Sequence, residues 1–275
     1  MKMFNKVVII GTGLIGGSLG LVLKQKGLAG QVIGLSRHLK NARLAKQAGA
    51  IDQVGTSLEV VEDADLIILA TPVNVIISMA SQIAKRIKKD CLVIDVGSSK
   101  ELIVAGLTRL LPNFLGCHPL AGSEKKGIIN STGNIFKDSV CIITPTVKTK
   151  IQTLSKIKML WKKIGAQVVL LSAKEHDKAL AFTSHLPHVL AFSLISSIPE
   201  GYLSLSSSGL KDTTRIAGSD AQLWSEIFLS NRVNLLATLR IFQKQLAILK
   251  FALKNKNKPQ LIRLLLLANA QRNKL

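Results

Sequence analysis

A short β-branched run, Lys6–Ile10, feeds straight into Gly11-x-Gly13-x-x-Gly16, and a helical stretch, Leu14–Gly27, follows at once. Nothing else in the chain restricts its fold so strongly. The first glycine permits a tight turn, the second lets a phosphate approach the backbone, and the third lets the helix pack on the strand. Leu14 and Ile15 open that helix, so its N-terminus faces the phosphates. Strand, glycine turn and helix in this order predict the opening unit of a doubly wound sheet that binds a dinucleotide. A charge-free run from Val7 to Leu23 behind Lys2 and Lys6 imitates a signal peptide or a membrane span. Glycines at 11, 13, 16, 17 and 20 argue against both.

The alternation continues. Gln31–Leu35 reads as a strand and Asn41–Ala48 as a helix closed by Gly49; Asp65–Ala70 is an apolar strand stopped by Thr71-Pro72. Leu92–Val96 is another strand, turned by Gly97-Ser98-Ser99-Lys100, and Phe114–Cys117 and Val140–Thr144 complete the series. Strands alternating with helices predict βαβ units and a parallel sheet. After Pro145 the texture changes: Ile151–Ile164 is an amphipathic helix and Gln167–Leu171 a last strand. From Ala173 only helical periodicity remains, broken at Pro199-Glu200-Gly201 and Ser204–Gly209. The expected fold is α/β: an N-terminal Rossmann dinucleotide-binding domain over 1–146, then a mainly α-helical substrate and dimerisation domain over 147–275. Its Leu- and Ile-rich helices predict a homodimer. The charge-free stretch 179–198 holds His185, Pro187 and His188, which favours a buried helix over a membrane span.

The net charge of +21 allows nucleic acid, a membrane surface or small anions as partners. Aromatics make up only 4% of residues, too few for base-stacking platforms, and the lysines are scattered singly. A solvated lysine-rich surface that attracts an anionic small-molecule substrate is the expectation, with neither nucleic acid nor membrane as partner. Cys91, Cys117 and Cys141 lack metal-ligand spacing and sit in apolar runs, which predicts buried reduced thiols in a cytoplasmic protein.

The end of the second predicted strand selects the cofactor. An acid there would bind a ribose 2′-hydroxyl and repel a 2′-phosphate. The strand ends Gly34-Leu35-Ser36-Arg37-His38, without an acid. Ser36 can donate to a 2′-phosphate and Arg37 can pair with it through two bonds. NADP is therefore expected over NAD, with NAD possible. Thr71 and Pro72 join the expected cofactor-binding residues.

Gly116-Cys117-His118-Pro119-Leu120-Ala121-Gly122-Ser123-Glu124 sets a histidine between a small-residue turn and a proline. An imidazole held by stiff backbone suits proton abstraction near neutral pH. Five segments, in order, resemble the prephenate/arogenate dehydrogenase family of tyrosine biosynthesis. They are Gly11–Ser18; Asp95-Val96-Gly97-Ser98-Ser99-Lys100; His118–Glu124; Ser184-His185-Leu186-Pro187-His188; and Lys211-Asp212-Thr213-Thr214-Arg215-Ile216-Ala217 with Trp224 after it. The resemblance implies oxidative decarboxylation of a cyclohexadiene that carries a ring carboxylate and a 4-hydroxyl. It implies His118 as the base for that hydroxyl, Ser98 as the group orienting base and hydroxyl, and Arg215 as the carboxylate partner. It also implies His188 and Ser123 at the substrate and Glu124 in an ionic gate.

Other residues stay open. His185 shares a helical face with His188 and is either structural or part of the site. His176-Asp177 pairs with Glu124 or Arg215, or starts the long helix. Asp212 orients Arg215 or a helix end, and Trp224 reads as core. β-Hydroxyacid dehydrogenases and pyrroline carboxylate reductase would show the same periodicity but lack the histidine–proline loop. A non-enzymatic NADP-binding sensor is the other alternative, since fold alone does not decide function.

Overall fold

The computed structural model describes residues 2–122 and 127–275. One sheet of eight strands organises the first part, in the order β3-β2-β1-β4-β5-β6-β7-β8. The strands are β1 Phe4–Ile10, β2 Ala29–Leu35, β3 Gln53–Gly55, β4 Leu66–Leu69, β5 Leu92–Asp95, β6 Phe114–Pro119, β7 Val140–Thr144 and β8 Gln167–Leu170. Val7–Ile10 of β1, all of β4 and Leu92–Ile94 of β5 are apolar without a break because both faces of the sheet are covered. Val7, Ile9, Leu66 and Ile68 face one core, shared with Leu19 and Leu23 of α1 (Leu14–Gln25), Ala45 of α2 (Leu39–Gln47) and Leu160 and Trp161 of α5 (Ile151–Ile164). Val8, Ile10, Ile67 and Leu69 face the other, shared with Ile76 and Ile83 of α3 (Val73–Ala84) and Ile103 and Leu107 of α4 (Glu101–Leu107).

Three expectations change here. The sheet is not wholly parallel, because β7 runs antiparallel to β6 with Cys117 opposite Ile143. No long helix joins these two strands among the described residues, so the chain returns without a parallel crossover. The division at 146/147 cuts through the α/β unit: α5 fills its core and β8 pairs with β7. The sheet therefore runs to Leu170, and purely helical structure begins at Ala173. The edge strand β3 is an addition, three residues too short to leave a periodicity.

The helical part comprises α6 (Ala173–Leu180), a π turn (Ala181–His185), α7 (Leu186–Ser196), α8 (Ser208–Thr214), α9 (Ala221–Ser230), α10 (Arg232–Lys254) and α11 (Lys258–Arg272). A capping box starts α6: Ser172 Oγ accepts from Glu175 N at 3.1 Å and Glu175 Oε2 accepts from Ser172 N at 3.0 Å. Pro187 has no N–H to donate one turn back, and the π turn lies directly before it. The segment from Ala173 to Ser196 is long and apolar enough, by length and composition alone, to cross a membrane. The buried helix expected over 179–198 is buried in part in a single copy. His176, Asp177, Leu180, Ala181, His185 and Ala191 are the buried positions of Ala173–Ser196, and much of the rest is open.

Candidate active site

A cleft of about 950 Å³ separates the C-terminal edge of the sheet from the helical part. This edge, where the strand order reverses about β1, is where doubly wound sheets bind ligands. Gly13, Leu14, Ile15, Arg37, Thr71 and Pro72 line it, and so do Ser98, His118, His188 and Arg215. Gly11 and Gly16 shape the turn beneath it. Gly11 has φ +102°, and a Cβ there would meet Ala70 O at 2.3 Å. A Cβ on Gly16 would lie 1.9 Å from Gly11 O, whereas one on Gly13 would meet nothing within 4 Å. Two glycines thus close the turn and the third leaves open space at the N-terminus of α1. The buried Thr71 Oγ1 beside it has no partner among the described residues. This cradle fits a dinucleotide pyrophosphate. Ser36 follows the end of β2 but does not line the cleft; Arg37 does. The acid next along the chain, Asp52, accepts from Val32 N at 2.7 Å and pairs with Lys24 at 2.5 Å.

His118 lies near the C-terminal end of β6. Its Nδ1 is 2.8 Å from His176 Nε2, and His176 Nδ1 is 2.7 Å from Asp177 Oδ1. Asp177 Oδ1 also accepts from Lys100 N at 2.7 Å, and Oδ2 from Glu101 N at 2.9 Å. One carboxylate thus caps the N-terminus of α4 and anchors a two-imidazole chain. Burial pushes the Asp177 carboxyl up, but the His176 ring and the two amides outweigh it and hold it below its ordinary value. Asp177 is an acceptor at both oxygens, so His176 Nδ1 carries a proton and its Nε2 presents a lone pair. His118 must then donate from Nδ1, which leaves Nε2 as its basic nitrogen. Burial, then His176, Lys100 and His185, holds His118 well below the ordinary histidine range. The ring keeps part of its surface open to the cleft even though it is set deep in the protein.

Lys100 is fully buried and donates to Asp95 Oδ2 at 2.6 Å and to Ser99 O at 2.9 Å. Burial raises the Asp95 carboxyl, while Lys100 and the Gly97 amide pull it down. This pair fixes the loop that carries Ser98. Ser98 lines the cleft, but no hydrogen bond joins it to His118. The partner at His118 Nδ1 is His176, at 2.8 Å.

His185 is buried, its Nδ1 3.1 Å from Asn231 Nδ2, which also donates to Asp177 O at 2.7 Å. Burial drives it down to about 4, so it is a neutral structural acceptor. His188 donates from Nδ1 to Ser184 O at 2.9 Å and stacks on Trp224 with ring centroids 3.3 Å apart. Trp224 therefore walls the cleft and is not a core residue. Arg215 opens the 3-10 turn after α8 and reaches the same cleft; with burial it lowers His188. Ser123 and Glu124 lie outside the described residues. Of the alternatives for His176-Asp177, the pair lies in α6, at the start of the long helical segment, and His176 contacts His118; a pairing with Glu124 lies outside the described residues. The signal for it lay in the Ser172–Glu175 capping box, which puts His176 and Asp177 in the first turns of a helix.

The chain matches the family description "Prephenate dehydrogenase, nucleotide-binding domain" over residues 19–170. It matches "Prephenate dehydrogenase, dimerization domain" over residues 172–267. It is 34% identical over 266 residues to a cyclohexadienyl dehydrogenase of Zymomonas mobilis, covering 92% of this chain and 90% of that protein. A prephenate dehydrogenase from A. aeolicus, solved with hydroxyphenyl propionate and NAD+, superposes with a TM-score of 0.93 at 33% identity, covering 98% of each chain. Synechocystis arogenate dehydrogenase gives a TM-score of 0.84 at 30% identity, covering 98% of this chain and 99% of that one. With both domain descriptions matched and nearly the full length of these relatives covered, the chain belongs to the prephenate dehydrogenase family.

Proposed function

We infer that the protein oxidises prephenate or arogenate, transferring hydride to NAD(P)+ with loss of the ring carboxylate as carbon dioxide. One observation carries this reading: an imidazole with its Nδ1 already committed faces a cleft shared with a dinucleotide cradle and a guanidinium. Gly11, Gly13 and Gly16 with the N-terminus of α1 would hold the dinucleotide, whose nicotinamide would supply the hydride acceptor for the carbon that bears the 4-hydroxyl. His118 Nε2 takes the hydroxyl proton, and Ser98 stands in the same cleft to bond that oxygen. Arg215 pairs with a substrate carboxylate through its planar fork. His188, held edge-on by Ser184 and face-on by Trp224, offers Nε2 to the substrate. Loss of the ring carboxylate makes the ring aromatic, which supplies the driving force. Reduced cofactor measured with both substrates and both cofactors tests the reading; no turnover in any of the four combinations would overturn it.

The preferred cofactor in this reading is NADP. Arg37 at the cleft and the engagement of Asp52 elsewhere support it. Arg37→Ala should then raise the Michaelis constant for NADP roughly 10–100-fold, the equivalent of about 1.5–3 kcal/mol for a lost charge-assisted contact. NAD should be little affected. Equal effects on both cofactors would show that Arg37 does not read the 2′-phosphate.

The working unit in this reading is a homodimer. Val233, Leu236, Phe251 and Leu253 of α10 and Leu265, Leu266 and Leu267 of α11 are each more than half exposed in one copy. An apolar surface of this size is covered in a stable soluble protein. Light scattering at micromolar concentration should give twice the chain mass. Three free, buried cysteines support a cytoplasmic setting.

A further inference from the structure

We propose that His176 is the positioning residue of the base: with Asp177 it holds His118 as the Nδ1–H tautomer and takes over the positive charge once His118 accepts the substrate proton. This rests on the dehydrogenase reading above. The geometry carries it. Asp177 Oδ1, His176 and His118 form an unbroken chain with links of 2.7 and 2.8 Å, and the rings are tilted by 56° with centroids 5.0 Å apart. Asp177 cannot be the final acceptor, because both of its oxygens already accept amide N–H bonds at the start of α4.

The step balances within the chain. The substrate O–H breaks as a bond forms from that hydrogen to His118 Nε2. The His118 Nδ1–H bond breaks as the hydrogen passes to His176 Nε2. His118 ends neutral, protonated on Nε2; His176 ends as an imidazolium against the Asp177 carboxylate. The electron pair left on the substrate oxygen drives hydride departure. After product leaves, the path reverses and the proton exits through His118 Nε2 to water.

The charges around the two rings favour this direction. The charged and titratable groups facing them are Asp95 and Lys100 from the β5–α4 loop, Asp177 from α6 and His185 from the π turn. Burial first, and then His176, Lys100 and His185, all oppose a charge on His118. His176 feels burial and Lys100 too, but Asp177 and Asp95 both favour its charged form. A positive charge therefore rests better on the inner ring than on the outer one.

Two measurements test this. Nitrogen NMR of the histidines in the unmutated protein at neutral pH reads tautomers without turnover. Both His118 and His176 should carry hydrogen on Nδ1 and a lone pair on Nε2; His118 protonated on Nε2 instead would overturn the proposal. In His176→Gln the side-chain carbonyl can still accept from His118 but cannot take a proton. Its kcat should fall at least about tenfold, with substrate KM within about twofold. The acidic limb of its rate profile should move to lower pH, because His118 must then hold the charge alone. His176→Phe, which also loses orientation, should fall further. A folded His176→Gln that keeps both kcat and the limb of the unmutated protein would overturn the proposal. If both variants misfold, the tautomers decide. Lack of turnover by the unmutated protein would instead strike the dehydrogenase reading and leave the tautomer result standing.

Discussion

Replacing His118 with asparagine should collapse turnover while substrate affinity changes little. Asparagine is smaller but places its amide nitrogen near the position of Nδ1, so it can still donate toward His176; it offers no basic nitrogen at the position of Nε2. General-base loss is typically worth about 10²–10⁴-fold in rate, and the loss should appear equally in kcat and kcat/KM. The pH profile should change with it. Burial, and after it His176, Lys100 and His185, hold His118 well below the usual histidine value, so it stays neutral at pH 6.5. Rate should therefore hold through pH 6.5 and fall only as the pH drops through the lowered value. That limb should be absent in the asparagine variant. A variant that kept most of its turnover and the limb would reduce His118 to a turn residue. The base could not then be His185, which is tied to Asn231 and held to about 4. His188, with Nε2 uncommitted, would be the group left to examine.

The parts of this site legible in the sequence are those that local chemistry dictates. Gly11, Gly13 and Gly16 announce a turn because side chains cannot occupy two of those positions and nothing should occupy the third, and the Cβ contacts follow that division. His118 stands out because a proline fixes the backbone after it. Strand order near β1 follows from βαβ handedness. What stayed hidden depends on distance along the chain. His118 and His176 lie 58 residues apart, and no spacing rule joins them. Asp177 looked like a helix-start acid, and so it is, but the helix it caps is α4, more than 70 residues upstream. Trp224 reads as core by composition because nothing local says that His188 will stack on it. The boundary near 147 followed a real change of texture, since α5 is amphipathic like the helices after it. Only the pairing of β8 with β7 shows that the sheet had not ended.

Arg215→Ala should fail in a different way from the His118 variant. In the proposed reading the guanidinium meets a substrate carboxylate already in the ground state, so its loss should weaken binding before any chemistry occurs. A charge-assisted bidentate contact is worth about 1.5–3 kcal/mol, which converts to a substrate KM raised roughly 10–100-fold. Turnover at saturation should fall much less. Arg215→Lys should recover only part of the loss, because an ammonium keeps the charge but not the fork. The neighbouring histidine supplies a second readout. Arg215 is one of the causes that lower His188, the others being burial and, in the opposite sense, the Ser184 carbonyl. With the guanidinium gone, His188 should hold its proton to higher pH than before. A protonated His188 can then offer Nε2–H to the substrate anion, so the KM defect should shrink as the pH falls toward 6. The ring is clamped by Ser184 and Trp224 and cannot swing into the space left by Arg215, so this compensation stays partial. Steady-state kinetics at several pH values check both parts. An unchanged KM would remove Arg215 from the substrate site, and a pH-independent defect would separate it from His188.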